Sequence, residues 1–464
     1  MAAFASIFSN VLRDPVMTLV TSGVNSARKE EAELRLRFFH DRQADDLIAA
    51  IASRWSDPAA FRPVFVNLVR KVVTKRATSY LGAPVRTFEG ADPDAMKALY
   101  ADMGVDVLMK KASRYCKLLK TVAIRVGWDE EMARPCLHVV TPNILDVEFT
   151  DPERPTRFVL TNRGQTDADT TYSDWTATTF RMLTRGGSQL PNPGNPKGVN
   201  PYGLLPFVPV FDYAPDDRFF LFGGDDLMVA QRALNVLLAN LWRTLELQAF
   251  GQPWAAGLPA GDVLRAGPDR VLTLPTDGKF GFAAPETPVD GILASAEFLL
   301  KQTALANDLP GNTFETDPKA ESGAAKTVAE RDLIEARADE IELFRRVEQR
   351  LFEVIKVVTN THAPGTIPES ARLASIDFAE LDRGETDADR LASYQSRIDI
   401  GIWSEVDAFL ADNPDVRDRA DALKILQARQ EERSALGAAF AGPSFTPAPA
   451  PAAAPLDPSP GASA

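Results

Sequence analysis

Asp225 and Asp226 stand side by side behind Gly223-Gly224. Paired carboxylates on a glycine turn can hold two metal ions for nucleotidyl transfer. That chemistry needs a hairpin and a further acidic residue on a neighbouring strand. Here the pair runs straight into an apolar stripe at helical spacing: Leu227, Ala230, Leu234, Leu237, Leu238, Leu241 and Leu245. Negative charge is favoured at a helix N-terminus. Capping is therefore the better reading, and a carboxylate- or metal-dependent nucleotidyltransferase centred on Asp225 and Asp226 is the alternative. Ser322-Gly323-Ala324-Ala325-Lys326-Thr327 has the residue types of a phosphate loop. It lacks the glycine before the lysine and the upstream glycine, so a small-residue helix start explains it better.

The remaining reactive side chains are scattered. His40, His138 and His362 lie far apart, and Cys116 and Cys136 form no metal-ligand spacing and no disulfide framework. Neither a Ser-His-Asp nor a Cys-His arrangement can be built. No cofactor or metal is implied. Arg70, Lys71, Lys75 and Arg76, with Lys110, Lys111, Arg114, Lys117 and Lys120, form two basic helix faces. The chain carries a net charge of −13, so a solvated face or intersubunit ion pairs explain them better than bound phosphate.

The 464 residues suffice for two or three domains, and 45% hydrophobic with 25% charged residues is ordinary for a globular chain. The acidic balance argues against a tight DNA-binding surface, though not against a surface past which DNA slides. No apolar run is long enough to span a membrane, and Met1–Val20 is cut by Arg13-Asp14-Pro15. The expectation is a soluble, unexported protein.

Periodicity predicts helices over 27–53 and 61–81, the latter with Val66, Val69, Val73 and Ala77 on its apolar face. A helix opens at Asp92-Pro93, with a break near Gly104. Runs at 122–128, 136–141, 145–150 and 158–161 read as antiparallel strands, and 170–183 as two more. Residues 185–203 read as an exposed loop, and 205–213 as an edge strand because of Pro206 and Pro209. The helix from Asp225 to Phe250 stops at Gly251-Gln252-Pro253. β-like runs at 270–274 and 280–283 surround a turn at Thr276-Asp277-Gly278, and 291–306 is helical again. Two helices thus flank a small β insertion. A loop over 307–321 precedes one helix over 322–361, about 60 Å long, with a stripe of Ile334, Ala338, Ile341, Leu351, Ile355 and Val358. A strand at 371–378 follows. Helices over 386–430 are broken at Gly401 and Asn413-Pro414. The Pro/Ala-rich segment 441–464 has the composition of disorder.

This series resembles the portal protein of tailed bacteriophages and gene transfer agents. Asn67-Leu68-Val69-Arg70-Lys71-Val72-Val73, ending in Tyr80-Leu81-Gly82-Ala83-Pro84-Val85, is similar to an Asn-led portal helix closing in Tyr-Leu-Gly-x-Pro. Leu205-Pro206-Phe207-Val208-Pro209-Val210 before Gly223-Gly224-Asp225-Asp226-Leu227 resembles the approach to the portal stem helix, with Asn235 and Asn240 at its Asn-rich turn. Asp308-Leu309-Pro310 followed by Glu321-Ser322-Gly323-Ala324-Ala325 is similar to the "Gly-Ile-Pro … Ser-Gly-x-Ala" pattern, with Asn-Asp replacing Thr-Gly. Asp399-Ile400-Gly401-Ile402-Trp403-Ser404 resembles a late helix start.

The resemblance implies an α+β, mainly helical portal-like fold. Its parts would be an N-terminal arm and α+β wing over 1–223, stem helices over 224–250 and 289–306, and a β-containing clip over 251–288. The tunnel loop would cover 307–321, the long helix and return to the wing 322–384, a helical crown 385–440, and a tail 441–464. It also implies a non-enzymatic ring of about twelve copies at one capsid vertex of the virion, assembled in the host cytoplasm. Double-stranded DNA would pass through it non-specifically for packaging and ejection. Terminase large subunit, head–tail adaptor, major capsid and scaffold proteins would dock on it, and no membrane is involved. Asn307, Asp308, Asn312, Thr313, Glu315 and Lys319 would line the channel, and Lys319 or Lys326 would damp repulsion of DNA by an acidic wall.

Overall fold

The computed structural model describes residues 14–52, 63–249, 252–257, 277–283, 289–315, 330–379, 387–413, 416 and 418–440. The runs at 270–274, the Ser322–Thr327 segment, Lys319 and the 441–464 tail lie outside these residues. The described chain is α+β and divides into two compact units at Leu381/Asp382.

The first unit begins with α1 (Pro15–Val20), α2 (Gly23–Phe39) and α3 (Ala44–Ala52). The helix expected over 61–81 is shorter: α4 is Leu68–Arg76. Asn67 starts it, its side chain accepting from the Arg70 N–H at 2.8 Å. Val66 therefore precedes the helix and is 59% exposed, whereas Leu68, Val69, Val72 and Val73 are buried. A strand that periodicity did not indicate follows, β1 (Val85–Glu89). Then come α5 (Pro93–Asp102), capped by Asp92, and α6 (Val105–Leu119), with Gly104 between them in a left-handed conformation.

The expected antiparallel strands form. They are β2 (Thr121–Asp129), β3 (Arg134–Val140), β4 (Leu145–Asp151), β5 (Arg154–Asn162), β6 (Thr171–Thr176), β7 (Phe180–Thr184) and β8 (Phe207–Phe211). They build a three-stranded sheet, β3-β2-β8, and a four-stranded sheet, β4-β5-β6-β7. Pro209 sits in β8, at the edge, where a missing N–H costs no ladder bond. Alternation along β2 serves two cores. Val122, Ile124 and Val126 face the main core, while Ala123 joins Phe158, Trp175, Phe207 and Phe219 between the sheets. Phe158 stacks on Phe207 with ring centroids 4.6 Å apart.

Next come α7 (Asp225–Ala249), β9 (Gln252–Ala256), β10 (Lys279–Ala283) and α8 (Val289–Ala306). β10 pairs antiparallel with β9, so the strand partner begins at Gln252, where a break was expected. Pro253 is tolerated in this two-stranded pairing. Helices α7 and α8 pack on each other. The stripe on α7 is buried at Leu227, Ala230 and Leu234, but Leu245 is 43% exposed.

Helix α9 (Arg331–His362) starts later than expected, with Glu330 as its cap residue. Its stripe runs through Phe344, Val347, Leu351, Phe352, Ile355 and Val358; Ala338, expected on it, is exposed. The α9 stripe lies against β2, β8 and β11 (Arg372–Asp377), which pairs with β1. Glu348 anchors it, accepting from Tyr80 Oη at 2.7 Å and Arg86 Nε at 2.5 Å.

One ion cluster joins α6, β8 and α9. Lys117 Nζ lies 2.8 Å from Asp212 Oδ1 and 3.6 Å from Glu340, while Lys120 Nζ lies 2.7 Å from Asp212 Oδ2. Burial pushes the Asp212 carboxyl up, but Lys117 and Lys120 outweigh it and hold it below the usual carboxylate range. Burial dominates at Glu340 and raises it.

The second unit contains α10 (Asp387–Asp399), α11 (Glu405–Asp412) and α12 (Arg419–Phe440), with the expected breaks at Gly401 and after Asn413. A capping box of Ser404 and Asp407 starts α11.

Asp212→Asn removes the carboxylate that two buried lysines share. It should cost roughly 3–5 kcal/mol in denaturant unfolding, the range for breaking a buried pair. Because the folded pKa is lowered, the Asp212 contribution is present above the unfolded value and is lost as pH falls through the folded one. The variant should therefore unfold with a flatter acid limb than the parent.

Candidate functional site

The start of α7 and the segment after α8 are the two places singled out by the sequence. The structure brings them to one small cavity of about 10 Å³, lined by Arg35, Arg76, Lys117, Lys120, Gly224 and Asn307 among others. That space is close to the minimum for one water molecule.

Arg35 organises the first place. Its Nη1 donates to the Gly223 carbonyl at 2.7 Å and the Leu118 carbonyl at 3.2 Å, and its Nη2 donates to Asp225 Oδ1 at 2.5 Å. Gly223 and Gly224 take φ of 116° and 82°, where side chains are strained. A Cβ on Gly224 would also sit 3.2 Å from Arg35 Nη1. Asp225 and Asp226 open α7, both exposed. The Asp225 carboxylate is engaged by a guanidinium, and among the described residues no three His, Cys, Asp or Glu side chains gather as a metal site.

The second place is a helix ending. The Asp308 N–H donates to the Leu305 carbonyl at 3.3 Å and the Leu309 N–H to the Ala304 carbonyl at 3.0 Å. Those two bonds, with Asp308 at φ 57° and Leu309 buried, make a Schellman ending of α8. Asp308 thus occupies a position that usually takes glycine. Arg76, at the end of α4, holds it: Nη2 donates to Asp308 Oδ2 at 2.8 Å and Nη1 to Asn307 Oδ1 at 3.4 Å. Asn307 is buried and its Nδ2 donates back to the Thr303 carbonyl. Its side chain is used inside the chain and is not offered to a passing ligand. Beyond it, the Thr313 N–H and hydroxyl both donate to the Pro310 carbonyl, at 2.9 and 2.6 Å. Asn312 and Glu315 are exposed.

The basic faces are reassigned in part. Arg76, Lys117 and Lys120 turn inward to carboxylates of their own chain. Arg35, which the sequence reading did not single out, joins them. Among the described residues these four cations meet five carboxylates: Glu31, Asp225, Asp308, Asp212 and Glu340. A polar pin that the sequence reading also missed positions α7. Gln231 is buried; its Oε1 accepts from the Leu68 and Val69 N–H groups at 2.6 and 3.0 Å, completing the start of α4. Its Nε2 donates to Asn235, which donates to Gln43. Two buried polar residues four apart on an otherwise apolar stripe were the available signal.

Replacing Asp308 separates backbone from charge. Asp308→Gly should be nearly neutral, because relief of positive φ offsets the loss of a half-exposed ion pair worth about 0.2–1 kcal/mol. Asp308→Val should cost roughly 1–3 kcal/mol through backbone strain alone. Thermal unfolding of both variants checks the order.

No family model matches this chain, and no curated protein matches it either. Several solved structures are similar to it. One is the neck of a native gene transfer agent particle computed with C12 symmetry, and another the virion of the native particle. Each has a TM-score of 0.43 and 15% identity, covering 78% of this chain and 97% of that one. A third is the neck of an empty particle computed with C6 symmetry, with a TM-score of 0.45, 13% identity, and coverage of 78% of this chain and 91% of that one. The chain is thus similar in structure to components of gene transfer agent particles.

Proposed function

We propose that this chain is the repeating subunit of a portal ring at one capsid vertex, the channel through which double-stranded DNA is packaged and ejected. The observation that carries the reading is the pair α7 and α8. The two helices are packed together, joined through a two-stranded β unit, and flanked by an α+β body. Apolar side chains on this pair face water in a lone chain: Val229 is 63% exposed, Phe298 66% and Leu305 50%. A subunit that meets its own copies side by side would cover them. In this reading α7 and α8 are the stem, β9 and β10 belong to the clip, 307–321 is the tunnel loop, α9 is the helix behind it, and α10–α12 form the crown. Terminase large subunit and the head–tail adaptor would dock on the ring, and major capsid and scaffold proteins would surround it.

The tunnel-loop assignment narrows to the exposed side chains. Asn312 and Glu315 face outward, and Lys319 is carried over from the sequence; Asn307 and Asp308 instead shape the loop's root. A chain of net charge −13 would conduct DNA by weak repulsion and not by bound phosphate.

Light scattering on the purified full-length chain tests the ring. A closed ring of about twelve subunits of 50.6 kDa is expected. A mass that stays at one subunit across concentrations would rule the reading out. The loop has its own test. Arginine at 312, 313 and 315 would add phosphate contacts in every subunit at once, so packaging should slow at low salt and recover as salt rises. Unchanged packaging at low salt by an assembled variant ring would move the channel lining elsewhere.

A further inference from the structure

On the inter-sheet face of β2, Arg125 carries a charge that no carboxylate among the described residues neutralises. Its guanidinium makes no hydrogen bond and no ion pair among the described residues, and its Nε is fully buried without an acceptor. Arg125 as a whole is half-buried, and the desolvated part of a charge is ordinarily matched by an acceptor. Here burial lowers the Arg125 pKa, and no carboxylate stands among the groups that oppose it. What it does contact is aromatic: the guanidinium lies 5.5 Å from the Trp175 ring centre. Trp175 in turn stacks with Phe180 at 4.0 Å and Tyr202 at 6.4 Å.

The neighbours named here do not neutralise that charge, and Lys111 adds to it. His138 on β3 is paired directly across from Arg125, so the two side chains leave the sheet on one face. His138 is exposed and without a hydrogen bond among the described residues. Burial, then Arg125 and Lys111, lower its pKa. Lys111 forms no ion pair among the described residues and contacts the Tyr115 ring. The nearby Glu130 faces His362 at 3.7 Å.

We propose that Arg125 and His138 form a recognition site for a carboxylate side chain on an apolar-flanked segment of a partner protein. A guanidinium beside Trp and Tyr is the composition of interface anchors, where a charge is desolvated and then matched on docking. The aromatic surroundings favour a single carboxylate among apolar side chains over a polyphosphate backbone. The net negative charge of the chain acts in the same direction. This inference does not depend on the ring reading; it assigns a surface of the sheet body.

The test uses the full-length protein and a capped Phe-Glu-Phe tripeptide, with capped Phe-Gln-Phe, inorganic phosphate and a short DNA duplex as comparison probes at matched ionic strength. Ligand that binds only the folded chain raises its melting temperature. The Glu peptide should raise it by roughly 2 °C at saturation, and the Gln peptide should not. Arg125→Met and His138→Gln should each lose that rise. Without probe, Arg125→Met should melt at the parent temperature or above it, since an apolar side chain replaces an unmatched charge. A large drop in melting temperature of unliganded Arg125→Met would show that the arginine is structural. Equal rises with the Glu and Gln peptides, or none with the Glu peptide, would overturn the site. A larger rise with phosphate or duplex would overturn the carboxylate assignment. The His138→Gln variant, altered at an exposed position, tests the site independently of the arginine's effect on folding.

Discussion

Asp212 is shared by Lys117 and Lys120, and the architecture of the sheet body turns on that one buried carboxylate. The two lysines sit on the last turn of α6 and at its end, Asp212 directly follows β8, and Glu340 brings α9 to Lys117. Three elements distant in sequence are thereby fixed at one point. Hydrophobic burial on both faces of β2 supplies the bulk of the driving force, but it is non-directional. A buried ion cluster is directional: any sliding of α9 along the sheet would leave a charge unmatched in a medium that solvates it poorly. Arg35 and Arg76 extend the same logic outward. One fixes the chain's path into α7 and the other the chain's path out of α8.

Much of the framework was legible in the residues. Alternation from Val122 to Leu183 yielded the antiparallel strands because side-chain period two is a direct consequence of strand geometry. The caps at Asp92 and Ser404 and the break at Gly104 follow from local chemistry. What was illegible depended on partners remote in sequence. β1 carries no clear alternation and exists because β11 pairs with it, some 280 residues away. The helix expected over 61–81 shortened because Asn67 caps it from within a run whose periodicity continues past the cap. β10 found Gln252–Ala256 as its partner across a segment that reads as a breaker.

At the candidate site the surroundings of individual side chains were not legible in the residues. Asn307 and Asp308 look alike on the page, polar residues in a Pro/Gly-rich loop, yet one is buried and the other holds a left-handed turn. Nothing local to residues 307–309 indicates that Arg76 will meet them. The same holds for the basic helix faces: a lysine on a helix reads as solvated until the carboxylate opposite it is known. Aspartate at 308 becomes intelligible only with the backbone angle, since aspartate is among the few residues that accept that conformation and here it gains Arg76 as a partner.

Gln231 has a consequence for the order of events during synthesis. Helix α4 has nine residues, too few to persist in water by itself. Two of its leading N–H groups are satisfied by a side chain 163 and 162 positions later. On a ribosome that emits residues from the N-terminus, α4 therefore waits with an incomplete end until α7 has been made. The wait leaves Leu68, Val69, Val72 and Val73, buried in the folded chain, open to water. Late closure of this kind ties the start of α4 to the synthesis of α7: a chain that ends before residue 231 lacks the acceptor that α4 uses at its first turn.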